Sequence, residues 1–251
     1  KEQVRETMEH HGIPESNITI VGAYQFDDWF RVNSSSLDRV AFCARYGLDP
    51  VRPILLYLGS GAATGDGPDM VREIREHLNN AEDAELRSIQ ILVRPSPLTV
   101  LTYTDLAARD TVVAPSKIFS MNDPDEVQML FDSITHSFVA VTVHTTGIVD
   151  ALIKSKPGIV IMRSNDSGVQ RAQHFQHLLA SGAVEAVPLG PQFLASLKKI
   201  LAGGDPRKKE REAFIAESIR PRGLEWSVGE VVADEIWKLS LPEKGVQSGP
   251  F

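Results

Sequence analysis

The residues best suited to chemistry lie in a short polar turn between two apolar segments. His144, Thr145, Thr146 and Gly147 follow a β-branched run and precede a helical pattern, with Asp150 in its first turn. This arrangement offers backbone N–H groups, hydroxyls and an imidazole at a helix amino terminus, where phosphates bind. The Asp150 carboxylate could accept hydrogen bonds from ribose hydroxyls. The turn is therefore predicted to contact a nucleotide.

The same residues also have a purely structural interpretation. Asp150 could offset the helix dipole, an effect worth about 0.3–1 kcal/mol. Either threonine could simply cap the helix. Both structural roles are compatible with ligand binding, so the pattern alone does not separate them.

A second candidate is a loop of small residues after the apolar segment 54–58. It comprises Gly59, Ser60, Gly61, Ala62, Ala63, Thr64 and Gly65. Small residues let the backbone approach a ligand closely, and the hydroxyls can bind phosphate or sugar. The spacing matches neither the Walker A motif nor a dinucleotide fingerprint. A plain flexible loop explains the composition equally well.

Arg94 follows the apolar segment 89–93 and precedes Pro95-Ser96-Pro97. An arginine at a strand end can bind a phosphate through two parallel N–H groups. The alternative is an ion pair with an acidic residue on a neighbouring helix. Its position at the carboxyl end of a predicted strand favours the phosphate role, because ligands bind at that edge of open α/β sheets.

Two histidines share one helix face, since His174 and His177 are three residues apart. This spacing suits zinc, but no third ligand lies nearby in the sequence, so no metal site is predicted. His174 is predicted to face a ligand from the start of its helix. A partly exposed histidine without a functional role explains the pattern equally well.

Strand and helix patterns alternate along most of the chain. Strands are predicted at 54–58, 89–93, 111–113, 138–143, 158–162 and 184–188, with a further short strand at 18–21. Helices are predicted at 1–11, 37–46, 69–78, 127–134, 148–153, 170–179, 192–201, 208–219 and 228–239, and serines 34–36 are predicted to cap the second. The alternation predicts an α/β fold: a Rossmann-like parallel sheet with helices on both faces.

The pattern also predicts a domain organisation. Residues 1–49 are predicted to be a helix, strand and linker connected to a missing N-terminal domain, and 50–204 the Rossmann-like domain. Residues 205–241 are predicted to be C-terminal crossing helices, and 242–251 a tail. The chain opens on Lys1 within a helical pattern, so we expect further sequence upstream.

Composition excludes several classes of function. The net charge of −7 argues against a nucleic-acid-binding protein. The single cysteine, Cys43, excludes an internal disulfide and a cysteine-rich metal site. No apolar run reaches the roughly 20 residues of a membrane span, although peripheral membrane contact stays open. We expect a cytoplasmic protein.

The chain resembles the C-terminal, donor-binding half of GT-B glycosyltransferases. It is most similar to the bacterial branch near the CDP-glycerol glycerophosphotransferases and UDP-N-acetylglucosamine 2-epimerases. The resemblance is carried by HGIPESNITIVGAYQFDDWF, GLDPVRPILLYLGSG, ILVRPSP, LFDSITHSFVAVTVHTTGIVDALIKSKPGIVI and QHFQHLLASGAVEAV. It implies a GT-B C-terminal half that binds a nucleotide-activated sugar, and terminal helices that cross to the other domain.

The resemblance also implies roles for individual residues. The loop Gly59-Ser60-Gly61 and the turn at Gly147 would approach the donor diphosphate, while Arg94 would neutralise phosphate charge. Asp150 would take the place of the family's acidic ribose ligand, although aspartate is shorter than the usual glutamate. The full set of implied donor contacts is Gly59, Ser60, Gly61, Arg94, His144, Thr145, Thr146, Gly147, Asp150 and His174.

Three hypotheses about function follow. The first is the donor-binding domain of a glycosyltransferase that uses a UDP- or CDP-linked sugar for surface or capsule polysaccharide synthesis in bacteria. The second is a non-catalytic Rossmann-like module that binds a nucleotide or a partner, and the third is a 2-epimerase-like enzyme. The resemblance places the catalytic base in the N-terminal domain, so no catalytic residue is assigned here. The nucleotide sugar would be a substrate, and no cofactor is expected.

Overall fold

The chain forms two compact units. The computed structural model describes residues 2–31, 34–61, 67–106, 108–120, 123–163, 170 and 172–240. The larger unit comprises residues 32–214, and the smaller combines residues 1–31 with residues 215–251.

A six-stranded sheet forms the centre of the larger unit. Its strands are β1 (Ile54–Leu58), β2 (Gln90–Arg94), β3 (Thr111–Val113), β4 (Val139–Thr142), β5 (Gly158–Met162) and β6 (Glu185–Pro188). Their spatial order is β3-β2-β1-β4-β5-β6, and every neighbouring pair is parallel. The prediction of a Rossmann-like parallel α/β fold is confirmed.

Helices connect and surround these strands. In chain order they are α1 (Glu2–His11), α2 (Asp27–Arg31), α3 (Arg39–Tyr46), α4 (Gly67–Asn79), α5 (Ala84–Ser88), α6 (Pro124–His136), α7 (Gly147–Ile153), α8 (Gln173–Ser181), α9 (Pro191–Leu201), α10 (Lys208–Phe214) and α11 (Val228–Ser240). The sequence missed α2, α5 and the 3-10 segment Val100–Leu106.

The apolar runs form the central strands, because only apolar segments can be buried on both faces of a sheet. All residues of β1, β2 and β4 are buried, as expected for strands covered by helices. On α4, Met70, Val71, Ile74 and Leu78 recur at helical spacing and are all buried in the core. This packing fixes the direction of α4, which runs back from the carboxyl end of β1 towards the amino ends of the strands.

The predicted serine cap of α3 was wrong. Asp38 is the N-cap residue, and its carboxylate accepts a hydrogen bond from the backbone N–H of Ala41 at 2.8 Å. Ser35 and Ser36 instead donate to Asp132 on α6, at 2.9 and 2.5 Å. The serines therefore link two distant parts of the larger unit rather than starting the adjacent helix.

Two other predicted elements differ from the structure. The segment 18–21 is not a strand, because no described strand pairs with it. The predicted helix 208–219 is α10 followed by a π-helical turn at Ile215–Ile219.

The smaller unit is held together by a buried aspartate. Asp27 accepts hydrogen bonds from the backbone N–H groups of Val228 (2.9 Å) and Gly229 (2.8 Å) at the start of α11, and from Arg220 (2.8 Å). The Arg220 guanidinium also lies 3.7 Å from the centre of the Phe30 ring. Burial alone would raise the pKa of Asp27, but the hydrogen bonds outweigh it and hold that pKa below its usual value.

Candidate functional site

The candidate site lies where the strand order of the sheet reverses. From β1 the chain proceeds outward through β2 to β3, and it then returns to β4 beside β1 and proceeds outward in the other direction. The connections that leave the carboxyl ends of β1 and β4 therefore diverge, which opens a crevice where such folds bind ligands. Thr142 Oγ1 donates to the Leu58 carbonyl at 2.9 Å and fixes these two strand ends side by side.

The glycine loop begins directly at this crevice. The Gly59 N–H donates to the Arg94 carbonyl at 2.9 Å. A Cβ at Gly59 would lie only 2.9 Å from the Tyr103 hydroxyl, so packing alone requires glycine there. At Gly61 a Cβ would meet no atom of the described residues closer than the Leu98 Cδ1 atom, at 3.9 Å. Gly61 thus has open space beside it, and packing does not explain its lack of a side chain.

The rest of this loop is only partly described. Ser60 is buried, and its carbonyl accepts a hydrogen bond from Thr99 Oγ1 at 3.0 Å. The predicted loop residues Ala62, Ala63, Thr64 and Gly65 lie outside the described residues.

The polar turn after β4 lies on the other side of the crevice. The Gly147 N–H donates to Thr145 Oγ1 at 3.3 Å, so Thr145 caps this helix start, whereas the Thr146 side chain forms no capping hydrogen bond. Among the described residues, no group accepts a hydrogen bond from the backbone N–H of Thr145 or Thr146. These two donors lie at the strand end, where a ligand would bind.

Asp150 provides the most informative geometry of the site. It is only 8% exposed, and within the described part of the chain no group donates a hydrogen bond to its carboxylate. A Cβ on Gly147 would lie 4.0 Å from Asp150 Oδ2, so the carboxylate is oriented towards the turn. Burial raises the pKa of Asp150 well above its usual value. A carboxylate whose main role was to offset a helix dipole would instead have a lowered pKa.

Arg94 has a protein partner in this structure. It is the last residue of β2 and is 7% exposed. Its Nη2 atom lies 3.2 Å from Glu126 Oε2 on α6 and donates to the Glu126 carbonyl at 3.3 Å. Burial lowers the pKa of the guanidinium. This is the ion pair that the sequence offered as the alternative, so a phosphate on Arg94 would have to compete with Glu126; that role stays a prediction.

The start of α8 also reaches this turn. The Phe175 ring packs on His144, with ring centroids 4.5 Å apart. His174 precedes Phe175 on the same helix, but its side chain lies outside the described residues, so its predicted contact with a ligand stays a prediction.

Gln170 is a site residue that the sequence did not single out. It is buried, and its Nε2 atom donates to the carbonyls of Val143 and Ile161, both at 2.9 Å. It therefore holds the carboxyl ends of β4 and β5 together beneath the turn. Glutamine in a polar segment gives no local signal of such a role.

Neither a metal-binding cluster nor a membrane-spanning helix occurs among the described residues. No group of three or more histidine, cysteine, aspartate or glutamate side chains there could hold a metal ion. No helix in the same part of the chain is both long and apolar enough to cross a membrane.

Comparison with known proteins gives matches in structure but not in sequence. No protein-family model and no curated protein matches the sequence. A structure of the wall teichoic acid polymerase TagF matches 95% of the chain at 13% identity, with a TM-score of 0.55. UDP-GlcNAc 2-epimerase from Neisseria meningitidis, bound to UDP-GlcNAc, matches 94% at 12% identity and a TM-score of 0.57. The glycosyltransferase WaaG, involved in lipopolysaccharide biosynthesis, matches 94% of the chain at 16% identity, with a TM-score of 0.50.

These similarities establish the fold. The chain spans 57% of the TagF chain, 59% of the epimerase and 60% of WaaG, so it corresponds to little more than half of each. It therefore has the Rossmann-like fold of one half of GT-B glycosyltransferases and UDP-GlcNAc 2-epimerases. The predicted resemblance is confirmed at this level.

Proposed function

We propose that this chain is the donor-binding half of a GT-B glycosyltransferase that uses a UDP- or CDP-linked sugar to make a bacterial surface polysaccharide. Its partner would be an N-terminal domain that supplies the catalytic base and binds the acceptor. In this proposal the chain binds the nucleotide sugar but does not turn it over alone, and it works in the cytoplasm.

The observation that carries the proposal is the buried carboxylate of Asp150 at the point where the strand order reverses. A buried carboxylate without a hydrogen-bond donor is unfavourable, because it has lost water and gained nothing in return. Its orientation towards Gly147 suits the hydroxyl groups of a ribose that enters the crevice. Ligand hydroxyls would provide the missing donors.

The remaining groups suit a diphosphate next to that ribose. The backbone N–H groups of Thr145 and Thr146 point from a strand end that precedes a helix, and Gly61 has room for close approach of a ligand. Such fixed donors would stabilise the departing nucleoside diphosphate during transfer, without covalent chemistry. Glu126 beside Arg94 keeps this edge from being strongly cationic.

Isothermal titration of the chain with UDP, CDP, UDP-GlcNAc and CDP-glycerol tests the proposal. We expect saturable binding to at least one, weakened about tenfold or more by D150N, because charge-assisted hydrogen bonds are worth about 1.5–3 kcal/mol. The control D105N changes an exposed aspartate of the 3-10 segment Val100–Leu106 and should leave the affinity unchanged. Absence of binding to all four nucleotides would refute the proposal.

The pH dependence gives a second readout of the same binding. Ionised Asp150 accepts hydrogen bonds more strongly than the neutral acid. Because burial raises its pKa, affinity should increase as the pH rises through that pKa. In D150N the increase should disappear.

The 2-epimerase hypothesis has the same structural support, since an epimerase is among the matched structures. Incubation of the chain together with the remaining half of the protein, with UDP-GlcNAc and no acceptor, separates the two enzymes, because only an epimerase would convert the sugar. A non-catalytic module would bind nucleotide without any reaction, also when the remaining half of the protein is present.

A further inference from the structure

A cavity lies at the opposite edge of the sheet from the candidate site. It has a volume of about 410 Å³ and is lined by the second half of α4, the end of the 3-10 segment Val100–Leu106, and Thr111 at the start of β3. Thr111 is the first residue of its strand, and α4 ends at this edge. The cavity is therefore at the amino ends of the strands, away from the crevice at their carboxyl ends.

An arginine with unused donors lines this cavity. The Nη1 atom of Arg75 donates to the Ile89 carbonyl at 2.6 Å. Its Nε and Nη2 atoms are buried and have no hydrogen-bond partner among the described residues. None of the described residues forms an ion pair with Arg75, because the nearby Asp110 is paired with Arg52 at 2.5 Å. Arg75 is partly buried, and the Asp110 carboxylate, which also pairs with Arg52, acts on its charge without forming an ion pair with it.

The two unused nitrogens are those that act together in anion binding. The Nε–H and one Nη2–H of a guanidinium point in the same direction and match the two oxygens of a carboxylate or phosphate. Nη1, which points elsewhere, is the nitrogen already used by the Ile89 carbonyl. Arg75 is therefore held through Nη1, while its Nε and Nη2 atoms, which form the paired side of the guanidinium, have no partner among the described residues.

A third unused polar atom lines the same cavity. Thr111 is 4% exposed, and in the described part of the chain its Oγ1 atom has no hydrogen-bond partner. Buried polar groups are nearly always hydrogen-bonded, so three such atoms around one cavity need an explanation. The apolar residues Val71, Leu106 and Ala108 line the cavity as well, together with the exposed side chains of Arg72 and Glu76, which carry opposite charges.

We propose that this cavity is a second ligand site, for a small molecule that carries a carboxylate or phosphate on a short apolar body. The two anionic oxygens accept hydrogen bonds from Arg75 Nε and Nη2. The Thr111 hydroxyl donates to the same group, and the apolar residues contact the body of the ligand. The volume lies within the range of small-molecule sites. The inference does not depend on nucleotide binding, which is proposed at the other edge.

Titration with simple anions tests this site. The Arg75 Nε–H signal of the full chain is followed by ¹⁵N NMR while acetate, butyrate or inorganic phosphate is added at constant ionic strength. We expect a saturable shift with at least one anion. Comparison of acetate with phosphate identifies the head group, and tighter binding of butyrate than of acetate would show contact with the apolar lining.

Variants connect the binding to these residues. R75K keeps the charge but loses the parallel N–H pair, so affinity measured by calorimetry should fall about tenfold or more. T111V replaces the hydroxyl by a methyl group and should weaken binding severalfold. It provides a second test if circular dichroism shows that R75K is unfolded. The control R45K changes an exposed arginine on α3 and should bind like the unaltered chain.

Two outcomes would overturn the inference. One is a shift that grows linearly with every anion and never saturates. The other is equal affinity in the unaltered chain and in folded R75K and T111V. Either result would leave the nucleotide titration unaffected, because that experiment reports on the opposite edge of the sheet.

Discussion

Replacing Asp150 by asparagine should stabilise the ligand-free protein at neutral pH. The carboxylate is 8% exposed and receives no hydrogen bond from the described residues, so ionising it in place is unfavourable. An unsatisfied buried polar group costs about 1–3 kcal/mol, and a charged one more. Asparagine keeps the size but not the charge. We expect D150N to raise the free energy of unfolding by about 1–2 kcal/mol. Each kcal/mol corresponds to an increase of roughly 2–4 °C in melting temperature for a chain of this size.

The stability that D150N gains over the unaltered chain should increase with pH. The folded-state pKa of Asp150 lies above its usual value of 3.8, so the folded state holds a proton that the unfolded state releases. Stability of the unaltered chain therefore falls as the pH rises from about 4 through the raised pKa. D150N lacks this contribution. The difference between the two should be near zero at pH 4 and should grow towards neutral pH.

Urea unfolding of both proteins between pH 4 and pH 8 measures this difference. The three tryptophans, Trp29, Trp226 and Trp237, all lie in the smaller unit, so far-UV and tyrosine circular dichroism are the appropriate signals for the larger one. The D105N variant, measured in the same way, is the control for the loss of one carboxylate charge. If D150N were less stable than the unaltered chain at neutral pH, the carboxylate would have a stabilising partner and the reasoning would be wrong.

Two further substitutions test the packing around the site and in the smaller unit. G59A should cost about 1–3 kcal/mol in urea unfolding, because the new Cβ would lie 2.9 Å from the Tyr103 hydroxyl, whereas G61A should change stability by less than about 0.5 kcal/mol. D27A should destabilise the smaller unit by about 3 kcal/mol, since it leaves Arg220 buried without its partner. Tryptophan fluorescence reports that loss selectively, and in the unaltered chain the same stabilisation should decline as the pH falls through the lowered pKa of Asp27.

Elements with a strong local pattern could be predicted from the sequence. The segments 54–58 and 158–162 were predicted with the bounds that β1 and β5 have, because uninterrupted apolar runs of this length suit buried parallel strands. The short run 18–21 has a similar composition but is not a strand. A strand also needs a neighbour, and local composition does not show whether one is present.

The site shows the same limit. The turn at Thr145 and the position of Asp150 followed from nearby residues, and the sheet order then brought this turn beside Gly59. Partners that are distant in sequence could not be anticipated. Glu126 lies 32 residues from Arg94, and Gln170 reaches Val143 across 27 residues. Such pairings depend on where a helix or loop passes in three dimensions.

The capping of α11 by Asp27 has a consequence for biosynthesis. Asp27 and Val228 are 201 residues apart, so the helix start cannot be capped until Val228 has left the ribosome. At about 5–20 residues per second, roughly 10–40 s separate the synthesis of the two partners. The larger unit can acquire its sheet during that interval. Until then the amino-terminal segment lacks the hydrogen bonds of Asp27 with Arg220, Val228 and Gly229 and the contact of Phe30 with Arg220.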